Sequence, residues 1–457
     1  MPRVSHTDIP GLLVVDLQLH EDERGWFKEN WQRAKMTDLG LPDFGPVQNN
    51  MSFNAEAGVT RGFHAEPWDK LISVATGRIF GAWIDLREGP TFGRLFTTDV
   101  DAGRAVFVPR GVGNAYQALE AGTCYTYLVN EHWSAEARSR YTFTNLAHPD
   151  VEWPIPLSEA VLSEADRTHP VLADVRAFKQ PRPLVTGAGG QLGQALRQIM
   201  PEAVFLTRDE LDITDADAVG DFDFSDVSAI VNAAAWTDVD SAETGARAQA
   251  WAVNVTGPAN LVAAARRHRL PLVHISSDYV FDGEGEIHDE DEPASPLSVY
   301  GTTKAAGDAV VATWPNHYIL RTSWVVGDGP NFVRTMARLA DEGHSPSVVD
   351  DQFGRLTFAE DLARAVNHVI TAAAPHGVYN ITSDGDTVSW YEIAQAVFEA
   401  RGASGTVTPI STADYTAGKD TASRPRHSTL NLDKIKNTGF RPVNGQAGLL
   451  DYLDSCR

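Results

Sequence analysis

The chain has 457 residues, 43% hydrophobic and 9% aromatic, which is too long for one ordinary core and rich enough to fill two or three. Its 61 acidic residues outweigh 38 Lys and Arg, and the formal charge of −23 opposes unspecific contact with nucleic acid or an anionic membrane. Two cysteines, Cys124 and Cys456, exclude a disulfide framework and a cysteine metal knuckle. No apolar run approaches the roughly 18 residues of a membrane span, and Met1 to Pro10 carries no secretion or lipidation signal, so a cytoplasmic location is expected.

Residues 1–157 form the first expected domain. Short β-rich runs at 11–17, 70–74, 78–86, 104–108 and 123–129, separated by turn residues, predict an all-β antiparallel jelly roll. Within it, Gly58 is followed by His64, Glu66, Lys70 and Gly77, and later Gly103 by Pro109, Gly111 and Asn114. This skeleton resembles the two motifs of the cupin jelly rolls. A cupin metal cage needs imidazoles and a carboxylate converging on one ion. Here a lysine and an asparagine stand at two donor positions, so no metal is expected. What remains is His64 beside Lys70, readable as a structural histidine or as a base with a cationic partner.

Residues 158–182 are polar and proline-punctuated, with a short helix expected in 158–166. They read as a linker packed on the surface of its neighbours.

From 183 to 457 strands and helices alternate. Apolar runs at 203–206, 229–232, 272–276 and 318–321 are separated by helical patterns at 246–253, 259–267 and 302–311. That alternation predicts an α/β Rossmann-type, doubly wound parallel sheet. Its first strand runs into Gly187, Gly190 and Gly193, with Gln191 and Leu192 opening the next helix. Glycines so spaced allow a sharp turn and close backbone approach to a pyrophosphate, which the helix N-terminus attracts. At the end of the second strand Arg208 is suited to a ribose 2′-phosphate, favouring NADPH with NADH as a second cofactor, while Asp212 and Ile213 would lie near the adenine.

Tyr300 and Lys304 are four apart, on one helical face. A tyrosine hydroxyl is a poor acid–base group at neutral pH, and a neighbouring ammonium favours its phenolate. A hydroxyl-rich strand end, Ser276-Ser277-Asp278, precedes them.

The stretches Asp22-Glu23-Arg24-Gly25-Trp26, Gln48-Asn49-Asn50, Arg61-Gly62-Phe63-His64 and Val108-Pro109-Arg110-Gly111 resemble the dTDP-4-dehydrorhamnose 3,5-epimerase family over residues 8–156. The resemblance implies that His64 removes protons beside a sugar ketone and that Lys70 steadies the enolate oxygen. It also implies that Arg24, Glu29, Gln48, Asn50 and Arg61 hold the nucleotide sugar. Two departures stand out: Trp133 falls where the family has a proton-donating tyrosine, and His148 where it has the aspartate orienting the base. Tyr127, His132 or water could supply the proton, and Asp150 the carboxylate.

Gly187 to Gly193, Asn232-Ala233-Ala234-Ala235-Trp236, Ser276 to Gly283, Tyr300 to Lys304, Arg321-Thr322-Ser323-Trp324 and Arg424-Pro425 resemble the extended short-chain dehydrogenase/reductases, and within them the dTDP-4-dehydrorhamnose reductase family. The resemblance implies Tyr300 as proton donor, Lys304 as its tuner and Ser277, in place of threonine, as hydrogen-bond donor to the ketone. Ala233, Ala234 and Ala235 would border the cofactor, and Asp278 and Trp324 the substrate. The epimerase resemblance implies a homodimer, and the reductase resemblance magnesium at dimer contacts in some members, for which no ligand cluster is visible in this sequence.

Together these readings predict one chain that epimerises dTDP-4-dehydro-6-deoxy-D-glucose and reduces the product's C4 ketone. The alternatives are epimerisation at one carbon within another deoxysugar route, a cupin half that only binds, or an NADPH-sensing scaffold.

Overall fold

A computed structural model of the chain describes residues 3–134, 137–372 and 374–456. It divides into two compact units, Met1–Gln180 and Pro181–Arg457.

The first unit is a sandwich of two antiparallel sheets. One holds, in spatial order, Arg3–His6, Leu13–Asp16, Arg104–Val108, Lys70–Thr76, Thr123–Val129 and Gln48–Asn54; the other Thr142–Phe143, Thr60–Ala65, Val112–Ala118, Ile79–Asp85 and Leu95–Val100. Alternate residues point inward, so Ile72, Val74, Ile79, Trp83, Val106 and Tyr125 share one buried core between the sheets. The strand carrying His64, Thr60–Ala65, pairs with Val112–Ala118 so that His64 faces Asn114 across the ladder. Residues 158–180, expected as a linker, lie within this unit: Val161 bridges to Val59, and Phe178 to Arg87. The helix in that segment is Glu164–Thr168, started by Ser163, whose hydroxyl accepts from the Asp166 N–H.

The second unit has a parallel sheet in the order Val204–Leu206, Arg182–Thr186, Val227–Asn232, Leu272–Ser277, His317–Thr322, Gly377–Ile381. Helices cover both faces. Leu196, Val366 and Val369 pack on one side, Leu261, Ala265 and Val219 on the other. The strand order reverses beside the first strand, where such sheets bind ligands at their C-terminal ends. The glycine stretch sits there. A further lobe gathers Phe332–Asp341, Trp390–Arg401 and Gly445–Ser455 around Val333, Ile393 and Leu449. Among the described residues no helix is long and apolar enough to cross a membrane.

Candidate active sites

In the first unit His64 lines a cavity of about 380 Å³ together with Gln48, Asn50, Arg61, Tyr127, Tyr141 and Asp166. Its Nε2 lies 2.8 Å from Asp166 Oδ1. A carboxylate that only accepts places the ring proton on Nε2 and leaves Nδ1 with a free lone pair. Ser163 Oγ donates to the other oxygen of Asp166 at 2.8 Å. Burial pushes the Asp166 carboxyl up, but the hydrogen bonds of His64 and Ser163 outweigh it and leave the group below the ordinary carboxylate range.

Asp166 is thus the carboxylate that orients His64. Neither His148 nor Asp150 does so: the Asp150 N–H meets His148 Nδ1 at 3.3 Å in an exposed turn. Sequence reasoning missed Asp166 because it sits in a polar segment far along the chain. The one local signal was the Ser163-x-x-Asp166 capping pattern, which marks a helix start and says nothing of a partner.

Lys70 is 3% exposed, and its Nζ meets Glu66 Oε2 at 2.8 Å, an oxygen that also accepts from Trp68 Nε1. Asn114 donates to Tyr125 Oη at 3.1 Å. Glu66, Lys70 and Asn114, at three cupin donor positions, are therefore taken up in an ion pair and a hydrogen bond. Gln48 donates to Asn50 at 2.8 Å and accepts from the Trp133 N–H at 3.1 Å, so these residues form one wall. Trp133 itself is 58% exposed. Burial pushes the Tyr127 hydroxyl up to about 12, and the Tyr141 hydroxyl up as well. Arg24 and Glu29 do not line the cavity; Arg24 pairs with Asp22, and Glu29 with Lys35.

In the second unit the glycine stretch meets its demands one by one. Gly187 has φ +74°, and a Cβ there would lie 2.5 Å from the Ala234 nitrogen. A Cβ on Gly193 would lie 2.6 Å from the Gly187 oxygen. Gly190 caps the helix Gln191–Ile199 with no side-chain hydrogen bond, so the first N–H groups stay open to an anion. Leu192 packs into the core, and the Gln191 side chain turns toward Gly327. Ala233, Ala234 and Ala235 follow the strand Val227–Asn232 at the same sheet end. Arg208 is exposed and its Nε meets Asp212 Oδ2 at 3.2 Å, while Asp212 Oδ1 accepts from Thr214. Ile213 is 4% exposed and packs beneath Gly257.

Ser277 ends the strand Leu272–Ser277, and its hydroxyl is hydrogen-bonded to Tyr300 and to Asp278, the latter at 2.8 Å. Tyr300 and Lys304 lie on the helix Val299–Val311, whose Gly301 approaches the Tyr279 carbonyl so closely that a Cβ would sit 2.2 Å from it. Burial pushes the Tyr300 hydroxyl up, and the Ser277 hydrogen bond pulls against it. The Lys304 ammonium donates to the Ile275 carbonyl at 2.6 Å. Burial lowers Lys304 itself to about 8, opposed by the charge of Asp308.

Asp278 is 2% exposed, and burial pushes its carboxyl to about 6 against hydrogen bonds from Ser428 and Ser277. A cavity of about 670 Å³ opens beside Tyr279, lined also by Met336, Gln352, Trp390 and Arg424. Tyr279 stands edge-on to Tyr300 at 5.4 Å. Neither Asp278 nor Trp324 lines that cavity. Trp324 stacks on Trp390 at 3.8 Å and so supports a wall it was expected to form. Arg424, bridged to Asp240 at 2.9 Å, lines that cavity together with Lys419, and residue-by-residue reading left both without a role.

A sandwich with a carboxylate-oriented imidazole in its cavity and a Rossmann unit with a Ser–Tyr–Lys trio fit a two-enzyme chain. Residues 182–457 match the family model described as RmlD substrate binding domain, and 6–174 that of dTDP-4-dehydrorhamnose 3,5-epimerase. The chain belongs to the dTDP-4-dehydrorhamnose reductase family through its second unit and to the 3,5-epimerase family through its first. A protein described as an RmlC homolog from Streptococcus pyogenes is 49% identical over 179 residues, 38% of this chain and 90% of that protein. A dTDP-4-dehydrorhamnose reductase from Aggregatibacter actinomycetemcomitans is 39% identical over 59% of this chain and 97% of its own. The solved dTDP-4-dehydrorhamnose reductase of Bacillus anthracis, in complex with NADP, matches 61% of this chain and 100% of its own at 33% identity, with a TM-score of 0.56.

Proposed function

We propose that the chain performs two consecutive steps of dTDP-L-rhamnose synthesis: epimerisation of dTDP-4-dehydro-6-deoxy-D-glucose at C3 and C5, then NADPH-dependent reduction of the C4 ketone. The observation that carries the reading is the pairing, in one chain, of an Asp166-oriented His64 in a sugar-sized cavity with a buried Ser277–Tyr300–Lys304 trio.

In the epimerase half, Nδ1 of His64 takes the α-proton, and the enolate oxygen develops its charge near the ammonium of Lys70 in a largely dry site. Tyr127 and Tyr141 keep their protons at neutral pH, so the absence of a tyrosine at Trp133 does not leave the cavity without a proton donor. Gln48, Asn50 and Arg61 hold the nucleotide sugar.

In the reductase half the glycine stretch would hold the pyrophosphate and Arg208 a 2′-phosphate, and the bound cofactor supplies hydride. Ser277 and Tyr300 hydrogen-bond the ketone oxygen, and Tyr300 delivers its proton as the alkoxide forms. The Lys304 ammonium, fixed on Ile275, stabilises the phenolate left behind. Reduction draws an unfavourable epimerisation forward.

NMR in deuterated buffer tests the reading. Deuterium at C3 and C5 without NADPH, followed by dTDP-rhamnose when NADPH is added, is the expected course. Exchange at one carbon would restrict the first half to a single centre, and absence of both exchange and NADPH oxidation would refute the reading.

A further inference from the structure

Asp166 is approached by two imidazoles, and the epimerisation uses only one. His64 Nε2 lies 2.8 Å from Asp166 Oδ1, and His169 Nε2 lies 3.5 Å from the same oxygen. The second contact stands at the outer edge of hydrogen-bonding range, and the buried His169 Nε2 makes no shorter one. Its orientation is nonetheless fixed. The ring stacks on Phe143 at 4.6 Å and 8°, and Phe143 stands edge-on to His64 at 5.4 Å. The three donor atoms lie within 4.8 Å of one another, the one such His, Asp, Glu or Cys group among the described residues, on the wall of the epimerase cavity.

We infer that His64 Nε2, His169 Nε2 and Asp166 Oδ1 bind a divalent transition-metal ion of the zinc class, and that the bound ion switches epimerisation off. Two imidazoles and one carboxylate suit zinc, cobalt or nickel rather than magnesium or calcium, which take oxygen donors. Ligand atoms about 2.0–2.1 Å from a tetrahedral ion lie roughly 3.3 Å apart, a separation bracketed by the 2.8 and 3.5 Å seen here. The cavity leaves a further position open to water. The site shares only His64 with the cupin cage, whose Glu66, Lys70 and Asn114 are engaged elsewhere.

The switch is a tautomer effect, and this part rests on His64 being the epimerase base. In the metal-free site Asp166 holds the ring proton on Nε2, leaving the Nδ1 lone pair to accept the sugar's α-proton. An ion on Nε2 binds through that nitrogen's own lone pair, so the neutral ring must carry its proton on Nδ1, where it occupies the pair that would accept the sugar's proton. The proton moves from one nitrogen to the other, no net proton is released, and the base is gone. The reductase trio shares none of these residues.

The test uses the full chain, stripped with a chelator and titrated with zinc by calorimetry and with cobalt by visible absorption. One equivalent is expected, with cobalt d–d bands of imidazole-ligated geometry, and His169→Ala and His169→Gln each weakening the affinity at least about tenfold, about 1.4 kcal/mol. Deuterium exchange into dTDP-4-dehydro-6-deoxy-D-glucose should stop at one equivalent of zinc and return with chelator. NADPH oxidation with pre-epimerised ketone should continue. In the His169 variants the ratio of exchange without and with zinc should fall toward one. No binding, or binding equal in the His169 variants, overturns the site. Stoichiometric binding with undiminished exchange overturns the switch. A metal-free chain that exchanges nothing while binding zinc through His169 would instead refute His64 as the epimerase base and keep the metal site.

Discussion

Asp166 reaches back 102 residues to place its Oδ1 2.8 Å from His64 Nε2, and a short helix begun by Ser163 holds it there. The carboxylate comes from outside the strands that build the cavity. Its replacement by an amide is therefore a clean perturbation of tautomer and charge.

Asp166→Asn should lower deuterium wash-in at the sugar by about 10²–10⁴-fold, since the amide can donate to Nε2 and strand the ring proton on Nδ1. Reduction of pre-epimerised ketone should be untouched. Wild-type exchange in this variant would remove Asp166 from the mechanism.

Lys70 and Glu66 form a buried pair with side chains 4% and 10% exposed. Glu66→Ala leaves the ammonium buried without its carboxylate, which costs about 3–5 kcal/mol. Chemical denaturation followed by a probe in the first unit should show that loss, and a transition at the wild-type midpoint would contradict it. The Rossmann unit's transition should stay where it is.

Lys304 gives the reductase its alkaline limb. With the ammonium's pKa lowered to about 8 by burial, the charged form is lost as pH rises through that value rather than near 10.4. kcat/KM for reduction should fall above about pH 8, because the free enzyme loses the cation that supports the Tyr300 phenolate. A profile flat to about pH 10 would exclude this origin. Tyr300→Phe should lower reductase kcat by about 10²–10⁴-fold at any pH while exchange in the first half continues.

Arg208 is exposed and pairs with Asp212 just past the second strand of the parallel sheet. Arg208→Ala should raise KM for NADPH about tenfold, about 1.4 kcal/mol, and change KM for NADH little. Equal effects on the two cofactors would show that Arg208 does not read the 2′-phosphate.

Much of this was legible in the sequence, for physical reasons that also explain the gaps. Gly187 and Gly193 announce themselves because no side chain fits where their Cβ would lie. Tyr300 and Lys304 share a face because helical spacing requires it. The strand Thr60–Ala65, which carries His64, was not read as a strand: glycine and arginine break its alternation. Asp166 and His169 were invisible because contacts across long separations leave no local periodicity. The stacking of Trp324 on Trp390 is hidden for the same reason.

The location of Asp166 also says where the two enzymes can be parted. A cut at 157, where the β-rich text ends, would strip the first half of the residues that bridge to Val59 and Arg87 and leave its base unoriented. A cut between Gln180 and Pro181 keeps the carboxylate with its histidine and leaves the first strand of the parallel sheet, Arg182–Thr186, whole. Two genes made at the second junction should encode two working catalysts; two made at the first should encode one.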